Sequence, residues 1–410
     1  MKISKLTGFS ALDSRGRPTV AVQVVLEDGR TFTARTPSGA STGKHEALEL
    51  RDSDGRGVET AVANINTKIA PALVGKDADP YTIDVLLAEL DPNEDHRELG
   101  ANATLATSLA VAKAAGGENL ARYFDKTEEL LIPMPMVNIL SGGAHAAKTM
   151  DIQDVLVLPN GATSFKEAIN WITAIRECAA KNGKAIGPAH LIADEGGLGL
   201  PFASIGAAIE FVTKSIEEVG LKVSSQVSIA LDIASTQLFD GGKYQLKNEG
   251  KSFTSDEFVK FMENLVKSAP VISIEDPFAE DDWAAWASFM SIAPKGLQVV
   301  GDDLFTTNAT RLAHGVAEKS ANAILIKANQ NGLVTFTESV LKMAQSEGFN
   351  TIVSARSGET EDSWLADLAT GWRAGQIKVG STHGSDRTAK WNRLLELEAT
   401  QTTAFAKPFN

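Results

Sequence analysis

The chain has 410 residues, of which 43% are hydrophobic and 22% charged, with a formal net charge of −13 and a single cysteine. That length exceeds what one hydrophobic core usually serves and predicts two unequal domains. The acidic balance excludes nucleic acid as the principal partner, because a phosphate backbone needs clustered Lys and Arg, and the lone Cys178 excludes an intrachain disulfide and predicts a small buried side chain in a reducing cytosol.

The first 37 residues alternate apolar and polar positions. ISKLTGFSALD, TVAVQVVLE and RTFTARTP read as strands, with Asp28-Gly29 as a hairpin turn. A loop of small residues, PSGASTG, spans Pro37 to Gly43. Helical spacing follows in ETAVANINTKIAPALVG, DPYTIDVLLAELD and ANATLATSLAVAKAAG, with Asp79-Pro80 and Asn102 as start signals. Residues 1–130 therefore read as an α+β domain, IPMPMV with its two prolines marks the boundary, and 131–410 form the second domain. No stretch reaches the roughly 18 apolar residues of a membrane helix, and MKISKLTGFSALD lacks the apolar core of a signal peptide, so a cytoplasmic protein without a membrane partner is expected.

In the second half, six short Val- and Ile-rich runs each end on a chemically loaded residue. VSIALD ends at Asp232, VISIED carries Glu275, LQVVGD ends at Asp302, AILIK at Lys327, TIVSAR at Arg356 and GQIK at Lys378. These residues lie 22 to 43 positions apart, the length of βα units, with amphipathic stretches such as SDEFVKFMENLVKSA between them. Functional residues at successive strand ends are the pattern of a (β/α)8 barrel. An open doubly wound sheet competes, but one crevice gathers fewer strands than six.

Three converging carboxylates need a cation to offset their repulsion, and hard oxygen ligands select Mg²⁺, whereas zinc would call for histidine or cysteine. Singly, any of the three also reads as an N-cap of the following helix. Lys327 in a barrel mouth among other cations is expected to have a lowered pKa and to serve as general base; elsewhere it would simply pair with a carboxylate. Arg356 and Ser357 suit a phosphate, and Lys378 a carboxylate. ADEGG puts Glu195 at the end of LIAD, another expected strand-end carboxylate, and an acid opposite a lysine base makes a pair for proton abstraction and leaving-group departure. GGAH is too short for a dinucleotide fingerprint, and the other histidines lack metal-ligand spacing.

From near residue 10 to near 400, ALDSRGRPTV, PSGASTGKHEALELRD, PMPMVNILSGGAHA, MDIQD, ADEGG, IALDIAS, SIEDPFAEDDW, GDDLFTTN, NAILIKANQ, SARSGETEDS and GQIKVGS stand in the order of the enolase family, which the chain resembles. The resemblance implies a modified (β/α)8 barrel with an N-terminal α+β capping domain and an antiparallel second barrel strand. It implies a hydro-lyase dehydrating 2-phosphoglycerate to phosphoenolpyruvate, a small phosphorylated hydroxy acid as partner, a homodimer or higher homo-oligomer, and two Mg²⁺ per site. Carried over by position, Lys327 takes the C2 proton and Glu195 protonates the leaving hydroxyl. Asp232, Glu275 and Asp302 hold one Mg²⁺, and Ser41 a second. Arg356 and Ser357 clamp phosphate, Lys378 meets the carboxylate, His145 is a loop contact and Asp154 lies near the leaving hydroxyl. A lysine base with Mg²⁺ on the enediolate is a general pattern of this superfamily, needed because the C2 proton is weakly acidic.

Departures from the family pattern read either as drift within a divergent enolase or as a change of substrate, and a non-catalytic reading stands beside both. The run SARSGE has Ala355 where histidine is usual, Gln153-Asp154 replaces Gln-Glu, Lys148 follows GGAH, Gln237 stands for a glutamate, ADEGGLGLPF lacks its usual continuation, and Gly384 replaces an arginine. The second reading is an enolase paralogue on a bulkier or more anionic 2-phosphoglycerate analogue, as in carboxyphosphonoenolpyruvate synthesis, since such changes redirect specificity. The third is a non-catalytic enolase-like binding protein, which loss of Lys327, Glu195 or a metal carboxylate would have favoured.

Overall fold

The computed structural model describes residues 1–40, 42–187 and 191–409, with His145 described for its backbone alone. The cap begins with β1 (Ile3–Leu12), β2 (Pro18–Leu26) and β3 (Thr31–Arg35), an antiparallel sheet in that order. Gly29 takes φ +85° in the turn between β2 and β3, a conformation that glycine adopts without steric cost. There follow α1 (Glu59–Asn64), a π-helical stretch (Ile65–Ile69), α2 (Ala70–Leu73), α3 (Pro80–Leu90), α4 (Ala101–Gly116) and α5 (Leu120–Phe124). Asp79 caps α3 by accepting from the Thr82 amide.

The expected start at Asn102 is corrected. Gly100, at φ +94°, precedes α4, and the Asn102 amide is spent instead on the backbone of Leu50, accepting from its N–H and donating to its carbonyl. Because α4 lies between the cap sheet and the barrel, nearly every side chain from Ala101 to Ala112 is buried. Its polar residues are used for docking: Ser108 Oγ accepts from the Val334 amide at 3.0 Å, and Thr104 Oγ1 donates to the Gly332 carbonyl at 3.0 Å.

The rest of the chain runs β4 (Leu130–Ile132), β5 (Met134–Ser141), β6 (Asp154–Leu158), α6 (Phe165–Gly183), α7 (Ile205–Glu218) and β7 (Ser228–Asp232). A small antiparallel sheet of β8 (Phe239–Asp240), β9 (Lys243–Leu246) and β10 (Lys251–Phe253) precedes α8 (Ser255–Ser268), β11 (Val271–Glu275), α9 (Trp283–Ile292) and β12 (Gln298–Gly301). Then come α10 (Ala309–Glu318), β13 (Ala323–Ile326), α11 (Ala328–Asn331), α12 (Val334–Ser346), β14 (Asn350–Ser354), α13 (Trp364–Gly371), β15 (Gly375–Gly380), α14 (Ser385–Thr400) and β16 (Thr403–Phe405), the last paired with β4.

Eight strands close into a barrel in the order β11-β12-β13-β14-β15-β5-β6-β7, which rules out the open sheet. All neighbouring pairs are parallel except those of β6, which runs antiparallel to both β5 and β7. The outer helices follow from local sequence. Thr254 and Glu257 form a capping box at the start of α8, whose Phe258, Val259, Met262 and Val266 face inward. Burying Phe258 alone is worth roughly 1.5–3 kcal/mol, so Phe258→Ala would loosen that helix most directly.

The barrel interior has its own core of Met134, Met136, Leu156, Leu158, Ala230, Val300, Ala323, Leu325 and Ile352. Side chains alternate along a strand, so residues an even number of positions from these also point inward. Continuing past Ala230 reaches Asp232, past Val300 reaches Asp302, past Leu325 reaches Lys327, and past Ile352 reaches Ser354 and Arg356. On the reversed β6 the same count runs backward, from Leu158 and Leu156 to Asp154. One inward phase therefore delivers the polar residues to one end of the barrel. Cys178 departs from expectation: it is half-buried on α6, its thiol against Glu218.

Candidate active site

At the carboxyl ends of the parallel strands lies a narrow cavity, lined by Gln153, Glu195, Asp232, Ala234, Gln237, Asp276, Asp302, Asp303, Lys327, Ser354, Ala355, Arg356, Ser357 and Lys378. Asp232 and Glu275, the last residues of β7 and β11, are paired neighbours in register. Lys378 bridges them, its Nζ donating to Asp232 Oδ2 at 2.7 Å and to Glu275 Oε2 at 2.6 Å. Lys378 is not at a strand end as expected, since β15 continues to Gly380, but its inward phase brings it to the same place. Asp302 and Lys327 each follow a strand directly, and Arg356 lies two residues beyond β14.

Lys327 Nζ donates to Asp302 Oδ2, and Gln330 Nε2 to the other oxygen, Asp302 Oδ1, at 3.0 Å. The expected lowering of the Lys327 pKa is not found. Burial would lower it, but the Asp302 carboxylate beside it, with Glu275 and Glu46, outweighs burial and Arg356, and the pKa rises. Burial likewise favours neutral Asp302, yet Lys327, Arg356 and Lys378 hold its carboxyl below the usual range. For Lys378, Asp232 and Glu275 overcome burial and keep the ammonium protonated well above its usual range.

Three acids, Glu275, Asp276 and Asp303, are under-compensated. Burial and the Asp232 charge push Glu275 well up despite Lys378. Burial and then Asp303 do the same to Asp276, and burial with Asp302 raises Asp303 to about 7. Asp276 and Asp303 are not singled out by the sequence reading, although the acid doublets of SIEDP and GDD carry the signal. Asp276, at φ +41°, accepts from the Asp302 and Asp303 amides at 2.9 and 2.8 Å. Among the described residues, Asp276, Asp302 and Asp303 form a group of three carboxylates, each with an oxygen within 4.8 Å of the others. This crowded set of hard oxygens fits a Mg²⁺ ion, which would relieve the repulsion that raises Asp276 and Asp303.

Arg356 faces a carboxylate from the cap. Its guanidinium donates to Glu46 at 2.8 and 3.2 Å and to Asn329 Oδ1 at 2.8 Å, and Glu46 also accepts from the Gly43 amide at 2.8 Å. Glu46, Asn329 and Gln330 are likewise missed by the sequence reading, though all lie inside quoted motifs. Ser357 Oγ accepts from the Ala40 amide at 2.7 Å, and Ser38 and Gly358 exchange backbone hydrogen bonds, so the small-residue loop is stitched to the Arg356 segment. Ser41 lies outside the described residues. The backbone of His145 sits in a short 3₁₀ turn, Gly143–Ala146, between β5 and β6.

Glu195 is a correction: it sits not at a barrel strand end but in a turn of the connection between α6 and α7. It is still buried, lines the cavity and accepts from Asn138 Nδ2 of β5 at 3.1 Å. The Ser381 amide bonds its carbonyl at 2.7 Å, and a Cβ on Gly380 would come within 2.6 Å of that oxygen, so the turn is wedged against β15. Asp154 begins β6 and accepts from Ser141 Oγ at 2.6 Å. Lys148 is exposed, whereas Ala355 is buried in the cavity wall.

The description "Enolase, N-terminal domain" matches residues 3–125, and "Enolase, C-terminal TIM barrel domain" matches residues 129–406. The chain belongs to the enolase family. The closed barrel with one reversed strand and its N-terminal cap are the enolase fold, and the family consists of Mg²⁺-dependent lyases of the enolase type. Among the described residues no helix is long and apolar enough to cross a membrane.

Proposed function

We propose that the protein is a hydro-lyase that dehydrates 2-phosphoglycerate to phosphoenolpyruvate. The observation that carries this reading is that Lys327 and Glu195 line one cavity from different supports, the first after β13 and the second against β5, three strand positions around the barrel. A base on one side and an acid on another allow a proton to leave C2 while the 3-hydroxyl departs protonated.

Lys327 removes the C2 proton with Nζ, and Glu195 gives its proton to the leaving oxygen. Arg356 and Ser357 bind the phosphate, and Lys378 orients the carboxylate on which charge accumulates. Asp232, Glu275 and Asp302 are the proposed ligands of one Mg²⁺, and Ser41 of a second. Bound Mg²⁺ supplies positive charge against that carboxylate and takes up part of the Asp302 charge that otherwise keeps Lys327 protonated. Ultraviolet absorbance of the enol product, followed with 2-phosphoglycerate in Mg²⁺ and again after EDTA, tests the reading. Metal-dependent turnover is expected; a folded protein with none at high enzyme concentration would overturn it.

One observation favours a second reading. Ala355 presents only a methyl group in the cavity wall beside Arg356, where the family usually has histidine. The added room suits a 2-phosphoglycerate analogue with a larger group on phosphorus.

A further inference from the structure

Beside the carboxylates, the cavity wall holds two side-chain amides in series. Gln237 Nε2 donates to Gln153 Oε1 at 3.3 Å, and Gln153 Nε2 donates to Asp232 Oδ2 at 3.1 Å. That Asp232 oxygen also takes Lys378 at 2.7 Å, while Oδ1 makes no hydrogen bond among the described residues and Asp232 lines the cavity. Two donors on Oδ2 therefore leave Oδ1 to meet a cation.

The backbone of Gln153 is fixed, its N–H on the Asp232 carbonyl at 3.0 Å and its carbonyl on the Gly142 amide at 2.7 Å. Its side chain can still turn over, because an amide has a donating and an accepting end of nearly the same shape. Gln237, in the 3₁₀ turn Ser235–Leu238 just after β7, selects the end by offering a donor. A residue there that only accepts would draw the Gln153 NH₂ toward itself and turn the carbonyl onto Asp232 Oδ2, oxygen against oxygen.

We propose that Gln237 is a positioning residue for Mg²⁺ binding: acting through Gln153, it holds Asp232 with Oδ2 occupied and Oδ1 presented to the metal. The inference rests on the metal-dependent reading above. A glutamate at this position removes the donor and adds a negative charge near the metal, two effects of opposite sign on Mg²⁺ affinity. Breaking the relay weakens binding, whereas added charge alone strengthens it.

The test is calorimetric titration of Mg²⁺ into metal-free protein, without substrate, for Gln237→Glu in the native chain and in a Gln153→Met background. Melting temperature checks the fold of each variant. Gln237→Glu is expected to raise the Mg²⁺ dissociation constant about three- to tenfold in the native background, the scale of one lost hydrogen bond. In the Gln153→Met background the same change should leave affinity unchanged or tighten it. The same response in both backgrounds, or tighter binding in the native one, would overturn the relay and leave the lyase reading intact. No Mg²⁺ binding by the unmodified protein would sink both.

Discussion

Glu46 in the cap and Arg356 in the barrel hold each other across 310 residues of chain, carboxylate to guanidinium at 2.8 and 3.2 Å, with both side chains almost wholly buried. Burial pulls the Arg356 pKa down, but Glu46 more than offsets it, so the guanidinium stays charged. Removing one partner of such a pair leaves an uncompensated buried charge. Glu46→Ala should therefore cost about 3–5 kcal/mol of stability. Inorganic phosphate should raise the melting temperature of the variant more than that of the unmodified protein, because the guanidinium no longer holds the Glu46 carboxylate and can take the anion. Equal phosphate responses would show that Glu46 does not occupy the anion site.

Lys327→Ala removes the proposed base. Exchange of the C2 proton of 2-phosphoglycerate into deuterated water should fall by about 10²–10⁴-fold, the usual weight of a general base. Some melting temperature should be lost as well, since Asp302 is left without its ammonium partner. Exchange at the original rate in the variant would assign the base elsewhere.

The cap also carries a group whose ionisation opposes folding. Asp84 on α3 is fully buried, accepts from the amide and hydroxyl of Thr335 at 2.8 Å each, and is pushed by burial up to about 6 from 3.8. Below about pH 4 both folded and unfolded chains carry the proton, and Asp84 has no net effect. Between about pH 4 and 6 the unfolded chain releases it while the folded one keeps it, so stability falls as pH rises, by up to about 3 kcal/mol. Asp84→Asn keeps the acceptor and cannot ionise. Its urea midpoint should match the unmodified protein near pH 4 and exceed it at pH 7; parallel profiles would show that Asp84 ionises normally.

Ala355→His tests the choice between the two substrate readings. If the methyl in the wall widens the pocket for an analogue, the variant should turn over 2-phosphoglycerate faster. An unchanged or slower rate would mark Ala355 as drift within an ordinary enolase.

The barrel is legible in the sequence because its strands are buried on both sides and end in ionisable residues, so period and chemistry agree. Asp232, Glu275, Asp302, Lys327, Arg356 and Lys378 all reach one cavity region from that reading, with Glu275 joined to it through Lys378. What escapes are pairings over long separations and the electrostatic balance among them. Nothing local ties Glu46 to Arg356, and no strand pattern reveals that Asp276 turns back to accept the Asp302 and Asp303 amides. The expectation for Lys327 fails because counting nearby cations omits the one carboxylate in direct contact. That for Glu195 fails because a short apolar run before an acid looks the same in a connecting turn as in a barrel strand.

The reversed β6 accounts for where Glu195 stands. A strand that points away from the mouth ends at the floor of the barrel, and β7 must start from that same floor. Leu158 and Ser228 pair there, close enough for a tight turn, but the chain instead climbs along α6 and returns along α7. The turn joining them then falls at the mouth, without belonging to any strand. An engineered chain that closed β6 onto β7 with a tight turn would keep the strand pair and lose the support that carries Glu195 to the cavity.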